Sequence, residues 1–402
     1  MLSYEYKYFP TDRHMTTVRT DELKLSGQTS SSDLDAYLDL WLWKDENPSP
    51  TTSYFSWRSY YHAIYIANYI IEHQHEISDA SAKTVSQLVG EAYMMRAYCH
   101  FLLVNLYAEP YTHCSPATTR GIPMMLVADV NAIPLSSSVE AVYQQVLSDI
   151  KEAEKRLNVD KWTLGENYRF NTVSAQALRA RTYLYMGRWQ EALDAAKAVI
   201  SVRPELQDLN VTGGLLPDNY QSAENIVALE HFSTNLSTAI NQPSTDFINM
   251  YRTGDQRRTK YYKKATSTTW TLQKSDGYCS FRSAEAYLTA AEAACQLGDL
   301  TGAISNYLTP LWQKRLNASA LTTEQTLVST MTKDELLQEI LDERARELAF
   351  EGHRWYDLRR TTQPALTRTY KGETYTLTPN KYTMRFPTEA VEANPEIERW
   401  EK

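Results

Sequence analysis

One pattern occurs twice in this chain and limits what the chain can become. ARTYLYMGRWQEALDAAKAVI places Gly187, Trp189, Ala192 and Leu193; AEAACQLGDLTGAISNYL places Gly298, Leu300, Ala303 and Ile304 at the same offsets. The glycine closes a first helix, the large residue two positions later fills the gap at the turn, and the small alanine lets the second helix approach closely. That is a helical hairpin, and two copies in register predict a repeat-like scaffold of the tetratricopeptide kind, in which neighbouring pairs bury one another's apolar faces.

Helical periodicity extends beyond the two copies. Val139, Val142, Tyr143, Val146, Leu147, Ile150, Ala153 and Leu157 recur at three- and four-residue steps, with Ser137 or Ser138 as the N-cap. The same spacing predicts helices over about 54–76, 85–107, 172–187, 189–200, 283–297, 300–316 and 334–351. Between them lie long irregular stretches at 108–137, 201–282 and 361–402, where a functional surface is expected. TYTLTPNKYTMRFP predicts a β-hairpin turning at Pro379-Asn380, and TSTTWTLQ a short strand. The fold class expected is mainly α, a helical-hairpin scaffold with long loop insertions and small β-hairpins.

Composition excludes several functions. Forty-nine acidic against forty-one basic residues give a net charge of -8, which disfavours nucleic acid and anionic lipid as partners. Cys99, Cys114, Cys279 and Cys295 form no metal-ligand spacing, and Cys99 and Cys295 sit among apolar helical residues as reduced core thiols do. His73 and His75 in EHQHE are two apart on a helix and point apart, so they read as a solvated helix end. Nucleotide, nucleophile and zinc-protease signatures are missing, so no cofactor or metal is expected, with Ca2+ assistance left open. No run approaches a membrane span and MLSYEYKYFP lacks the regions of a signal peptide, which reads as a soluble chain.

The densest charge lies in ERARELAFEGHRWYDLRR, residues 343–360. Leu337, Ile340, Leu341, Ala345 and Leu348 form a helical stripe ending near Glu351, with Gly352 as the stop. Glu343, Glu347 and Glu351 share another face and need basic partners: Asp342 to Arg346 is one local pair, and Arg354, Arg359 and Arg360 are placed to fold back or reach a neighbouring helix. Two glutamates on adjacent turns approach the spacing of a glycosidase pair, yet the arginines argue for neutralised carboxylates with lowered pKa, poor acids at neutral pH. The reading is scaffold, not catalysis.

The order of motifs resembles the SusD/RagB family of surface nutrient-binding lipoproteins. Besides the run above, GEAYMMRAYCHFLLVNLYAEPY, GIPMML, SVEAVYQQVLSDIKEAEKRL, NTVSAQALRARTYLYMGRWQEAL, GDQRR, FRSAEAYLTAAEAACQLGD and FPTEAVEANPEI occur in the family's order over most of 54–402. The resemblance implies a single SusD-like domain over 1–402, with a scaffold of four tetratricopeptide-like helix pairs at about 54–200 and 283–360. The loop-rich, ligand-facing parts then fall at about 1–53, 108–137, 201–282 and 361–402. It implies a non-catalytic protein that captures oligo- or polysaccharide and delivers it to a SusC/RagA-like TonB-dependent channel. The expected place is the extracellular face of the outer membrane, through a lipid anchor. Family members carry that anchor on an early cysteine, whereas the first cysteine here is Cys99.

Sugar binding needs aromatic planes in polar loops. In DLWLWKDENPSP, Trp41, Trp43 and Asn47 meet that description, in a region that glycan-binding relatives also use. Tyr251, Tyr261, Tyr262 and Trp270 of the central insertion come second, while Trp57, Trp189 and Trp355 read as core. Oligopeptide capture in the manner of the RagB branch and a tetratricopeptide-type protein adaptor are the alternatives.

Overall fold

The computed structural model describes residues 15–25, 31–45, 48–53, 55, 57–229, 242–274 and 280–398. Its scaffold helices are α1 (Ser31–Trp41), α2 (Trp57–Glu72), α3 (Ala82–Tyr107), α4 (Val139–Glu154), α5 (Thr172–Tyr185), α6 (Trp189–Val202) and α7 (Ser283–Gln296). Then α8 runs as Leu300–Gly302, a π-helical Ala303–Leu308 and Thr309–Arg315, before α9 (Ala318–Val328), α10 (Lys333–Glu347) and α11 (His353–Arg360). The helices predicted from periodicity all form. Those over α1, α9 and α11 were not predicted; α9, ASALTTEQTLV, is held at its start by the Asn317 side chain, which accepts from the Ala320 N–H at 2.9 Å.

The duplicated pattern gives two turns with the same hydrogen bonds. Gly187 and Gly298 take φ of +69° and +90°, the left-handed conformation that glycine adopts at no cost. The Gly187 N–H donates to Leu184 O at 3.1 Å and the Arg188 N–H to Tyr183 O at 3.0 Å; Gly298 to Cys295 and Asp299 to Ala294 repeat this at 3.0 and 2.9 Å. Both are Schellman ends that satisfy carbonyls the helix leaves open. Ala192 and Ala303, the small residues of the pattern, are fully buried. Packing then runs from helix to helix, α2 on α3, α3 on α4, α5 on α6, α6 on α7, and α7 on both α8 and α10. Helix α7 is buried on every side from Ser283 to Cys295, which its run of alanines permits because small side chains let three neighbours close in. Ser138 is the N-cap of α4, accepting from the Ala141 N–H at 3.1 Å.

The strands form small two-stranded antiparallel sheets. Strand β1 (Arg120–Pro123) pairs with β2 (Ser136–Ser138), β3 (Asn225–Val227) with β6 (Phe281–Arg282), and β4 (Tyr262–Lys264) with β5 (Trp270–Leu272), the strand read in TSTTWTLQ. The C-terminal hairpin is real but turns elsewhere than expected. It joins β7 (Leu366–Tyr370) to β8 (Glu373–Leu377) through Lys371 and Gly372, whose φ of 48° and 86° match a two-residue primed turn. Pro379-Asn380 instead opens a 3-10 turn, Pro379–Tyr382, because proline fits a first helical position and cannot donate to a ladder.

The charged run also departs in detail. Helix α10 ends at Glu347, four residues before the expected stop, and the turn contains Phe350 at φ 60° and Gly352 at φ 78°. All three glutamates are buried, but their partners come from distant segments. Glu347 accepts from Arg257 (3.0 Å), Arg282 (2.7 Å) and Arg315 (2.8 Å at both of its oxygens), while Arg257 also bridges Glu343 (2.7 Å) and Arg282 also bridges Glu351 (2.9 Å). Arg346 pairs with Glu339 and Glu343 in place of Asp342. Arg354 goes to Asp21 at 2.6 Å, Arg360 to Glu292 at 2.6 Å, and Arg359 to the carbonyls of Tyr382 and Ala108, so none of the three closes onto the glutamate row. Burial pushes the Glu347 carboxyl up, and Arg315 and Arg282 outweigh it and hold it well below the usual range; Glu343 and Glu351 are lowered by the same balance.

Candidate functional site

Residues 39–50 were read as an aromatic polar loop, and the structure corrects that. Asp39, Leu40 and Trp41 are the last turn of α1, and the chain then reverses through Trp43 at φ 55°. Trp43 is fully buried and Trp41 nearly so, at 9% exposure. The Trp43 indole N–H donates to Arg19 O at 2.9 Å. Arg368 of β7 lies 4.7 Å and 4.3 Å from the Trp41 and Trp43 ring centres, and its guanidinium donates to the carbonyls of Val18 (3.1 Å), Trp41 and Thr20. Burial, with Arg19 nearby, pushes the Arg368 guanidinium down to about 9, so it still carries its charge at neutral pH. The two tryptophans are therefore a keel pinned by a cation, not open planes.

That keel underlies a surface groove. Two adjoining cavities of about 550 and 470 Å³ share Lys44, Asp45 and Arg385 in their walls. The first is lined by the apolar Phe55, Tyr107 and Phe386 together with the polar Thr52, Ser53 and Glu389. The second is lined by Tyr375, Asn380, Lys381 and Thr383. Tyr375, half-buried in the middle of β8, has the Lys44 ammonium 5.2 Å from its ring centre. Asp45 is fixed by Arg19 through two bonds of 2.7 and 2.9 Å, and Lys381 donates to Trp43 O at 3.3 Å. The arrangement offers one half-exposed ring, an amide, hydroxyls and both charge signs along one groove.

The other predicted site residues do not gather here. Tyr251, Tyr261 and Tyr262 are buried to 1% exposure or less, which corrects their reading as exposed planes. Tyr251 and Tyr262 share a hydroxyl contact of 3.0 Å, and Tyr251 also donates to Arg346 O at 2.8 Å, so they back the charged cluster. Trp270 on β5 is half-buried, with the Arg258 guanidinium 5.6 Å from its ring centre. Asn47 lies outside the described residues. Sequence reasoning missed Tyr375, Asn380 and Arg385; the alternating polar-aromatic run TYTLTPNKYTMRFP carried that signal and was read for its hairpin alone.

Comparison with known proteins places this architecture. The SusD family model matches residues 137–399, more than half of the chain, and a second model, described as starch-binding associating with outer membrane, matches residues 3–184. The SusD-like protein P38 of Formosa agariphila is 27% identical, over 79% of this chain and 74% of its own length. A SusD superfamily protein from Bacteroides thetaiotaomicron superposes with a TM-score of 0.77 at 22% identity, over 100% of this chain and 98% of its own. The surface glycan-binding protein A from Bacteroides uniformis does so with a TM-score of 0.74 at 16% identity, over 98% and 97%. On these matches and on its helical-hairpin fold, the chain belongs to the SusD family.

Proposed function

We infer that the protein captures an oligo- or polysaccharide in the groove between residues 40–53 and 375–398 at the outer face of the outer membrane. It then passes the glycan to a TonB-dependent channel of the SusC/RagA type, and no bond is broken in that task. The observation that carries this reading is the convergence of Tyr375, Lys44, Asn380 and Arg385 on one groove, in a family whose model description is starch-binding. A half-exposed ring takes the apolar face of a pyranose, and the amide and charged groups take its hydroxyls. Trp41 and Trp43 serve from beneath by fixing the groove floor, and Trp270 is a second aromatic contact on a separate hairpin.

A glycan array run beside a peptide library tests it. The expected result is glycan binding that weakens about tenfold or more in Tyr375→Ala and Asn380→Ala, as loss of a stacking or hydrogen-bond contact produces. Glycan binding indifferent to both substitutions refutes the residue assignment, and peptide-only binding refutes the ligand class. Co-purification with a channel encoded alongside it tests delivery.

A further inference from the structure

A second cavity, of about 670 Å³, lies between the loop joining α4 to α5 and the loop following α6. Its wall contains Trp162, Lys161, Asn167, Arg203, Tyr220 and Asn225. Hydrogen bonding is unfinished there. The side-chain oxygens of Asn167 and Asn225 are buried and have no donor among the described residues, although each residue is only 7% exposed. The Asn167 amide is oriented by its own donation to Tyr220 O at 2.7 Å, which leaves its oxygen as the open acceptor.

Arg203 brings a positive charge to the same wall. It is 6% exposed, donates to Asn225 O at 2.7 Å and stands 3.8 Å from Glu205, a carboxylate that is itself more than half exposed. Buried acceptors without donors cost free energy unless a ligand completes them. Beside them Trp162 is held rigidly, its N–H donating to Phe170 O at 3.0 Å and the Arg169 guanidinium 3.9 Å from its ring centre. Lys161 adds a second positive charge, and no carboxylate lines the cavity.

We propose that this cavity is a second saccharide site, specific for a pyranose that bears a carboxylate. The two amide oxygens accept from hydroxyls, Arg203 and Lys161 take the carboxylate, and Trp162 supplies the apolar plane. The site extends the glycan reading to another place on the molecule, and none of its lining residues belongs to the groove.

The test is calorimetric titration of the intact protein with a glucuronate-terminated oligosaccharide and with the same oligosaccharide ending in glucose. The expected result is binding of the acidic probe at least about tenfold tighter than the neutral one, the discrimination that one charge-assisted contact gives. Lys161→Glu, a change at an exposed position that leaves the fold intact, removes that preference, and Trp162→Ala abolishes binding of both probes at this cavity. Tyr375→Ala leaves the acidic preference in place, so failure of the groove and failure of this site are distinguishable. Equal affinity for the two probes, a preference untouched by Lys161→Glu, no binding of the acidic probe at millimolar concentration, or displacement of it by an acidic peptide that binds more tightly would each overturn the proposal.

Discussion

Glu347→Gln is the sharpest perturbation of the scaffold. The residue is fully buried, and Arg257, Arg282 and Arg315 all donate to it at 2.7 to 3.0 Å. Glutamine keeps the shape but removes the charge and turns two acceptors into an acceptor and a donor, which then faces guanidinium N–H groups. Breaking a buried ion pair from one side costs about 3–5 kcal/mol, because the remaining charge stays desolvated and unmatched. With an unfolding entropy that scales with length, this corresponds to a fall in Tm of about 4–6 °C for a chain of this size. The measurement is thermal and urea unfolding of both proteins at pH 7 and at lower pH. Glu347 has a folded pKa well below the ordinary 4.5, so its contribution is fully present above that value and is lost as pH falls toward the folded pKa. The difference between the two proteins therefore narrows below about pH 4.5, as the Glu347 carboxyl takes up a proton in the unfolded chain while the native one stays ionised. A difference under about 1 kcal/mol at pH 7, the scale of a surface pair, would refute the claim that these arginines depend on Glu347.

Other predictions concern the keel, a turn and a buried acid. Trp43→Ala removes a fully buried ring and lowers unfolding free energy by about 3–5 kcal/mol in urea titrations, a structural loss that accompanies any loss of ligand. Gly298→Ala costs about 1–2 kcal/mol by the same assay; a Cβ there meets nothing within 4 Å, so backbone strain at φ +90° is the whole effect. Burial, opposed by the Phe350 N–H at 2.7 Å, pushes the Glu22 carboxyl up to about 8. Its folded pKa lies above its unfolded one, so the contribution of Glu22 to stability is fully present below about pH 4.5 and is lost as pH rises to 8. Glu22→Gln flattens that decline by a few kcal/mol between pH 5 and 9, read as the pH dependence of Tm.

Local regularities in the chain carried much of the fold. The offsets around Gly187 and Gly298 encode two turns in about seven residues each, and apolar periodicity encodes the helices that follow them. The placement of arginines was not legible in the same way. Arg257, Arg282 and Arg315 are 32 to 90 residues from Glu347, and charge alone does not say which cation reaches which acid, so the nearer Arg354, Arg359 and Arg360 were chosen. The candidate groove was half legible. DLWLWKDENPSP drew notice through its tryptophans, yet Lys44 and Asp45 between them and the prolines line the cavities, because the chain reversal at Trp43 turns the rings inward. The opposite wall, from Tyr375 to Arg385, lies more than 320 residues away in sequence, and it is folding that joins the two, through Arg368 against both tryptophans, Lys381 to Trp43 O and Lys44 over Tyr375.

The arginine-glutamate cluster also bears on the order in which the chain acquires its shape. Glu224, Arg257, Arg282, Arg315 and Glu347 arrive from five separate segments, and each is almost wholly removed from water in the finished protein. A guanidinium dehydrated before its carboxylates are present costs several kcal/mol, so partial versions of the cluster favour staying wet. Closure therefore waits until the stretch from Glu224 to Glu351 is all in hand, and then locks α8, α10 and the central insertion together in one event. Contacts made so late contribute little to the rate of folding and much to the barrier against unfolding. That makes the cluster a device for persistence in time more than for speed of assembly.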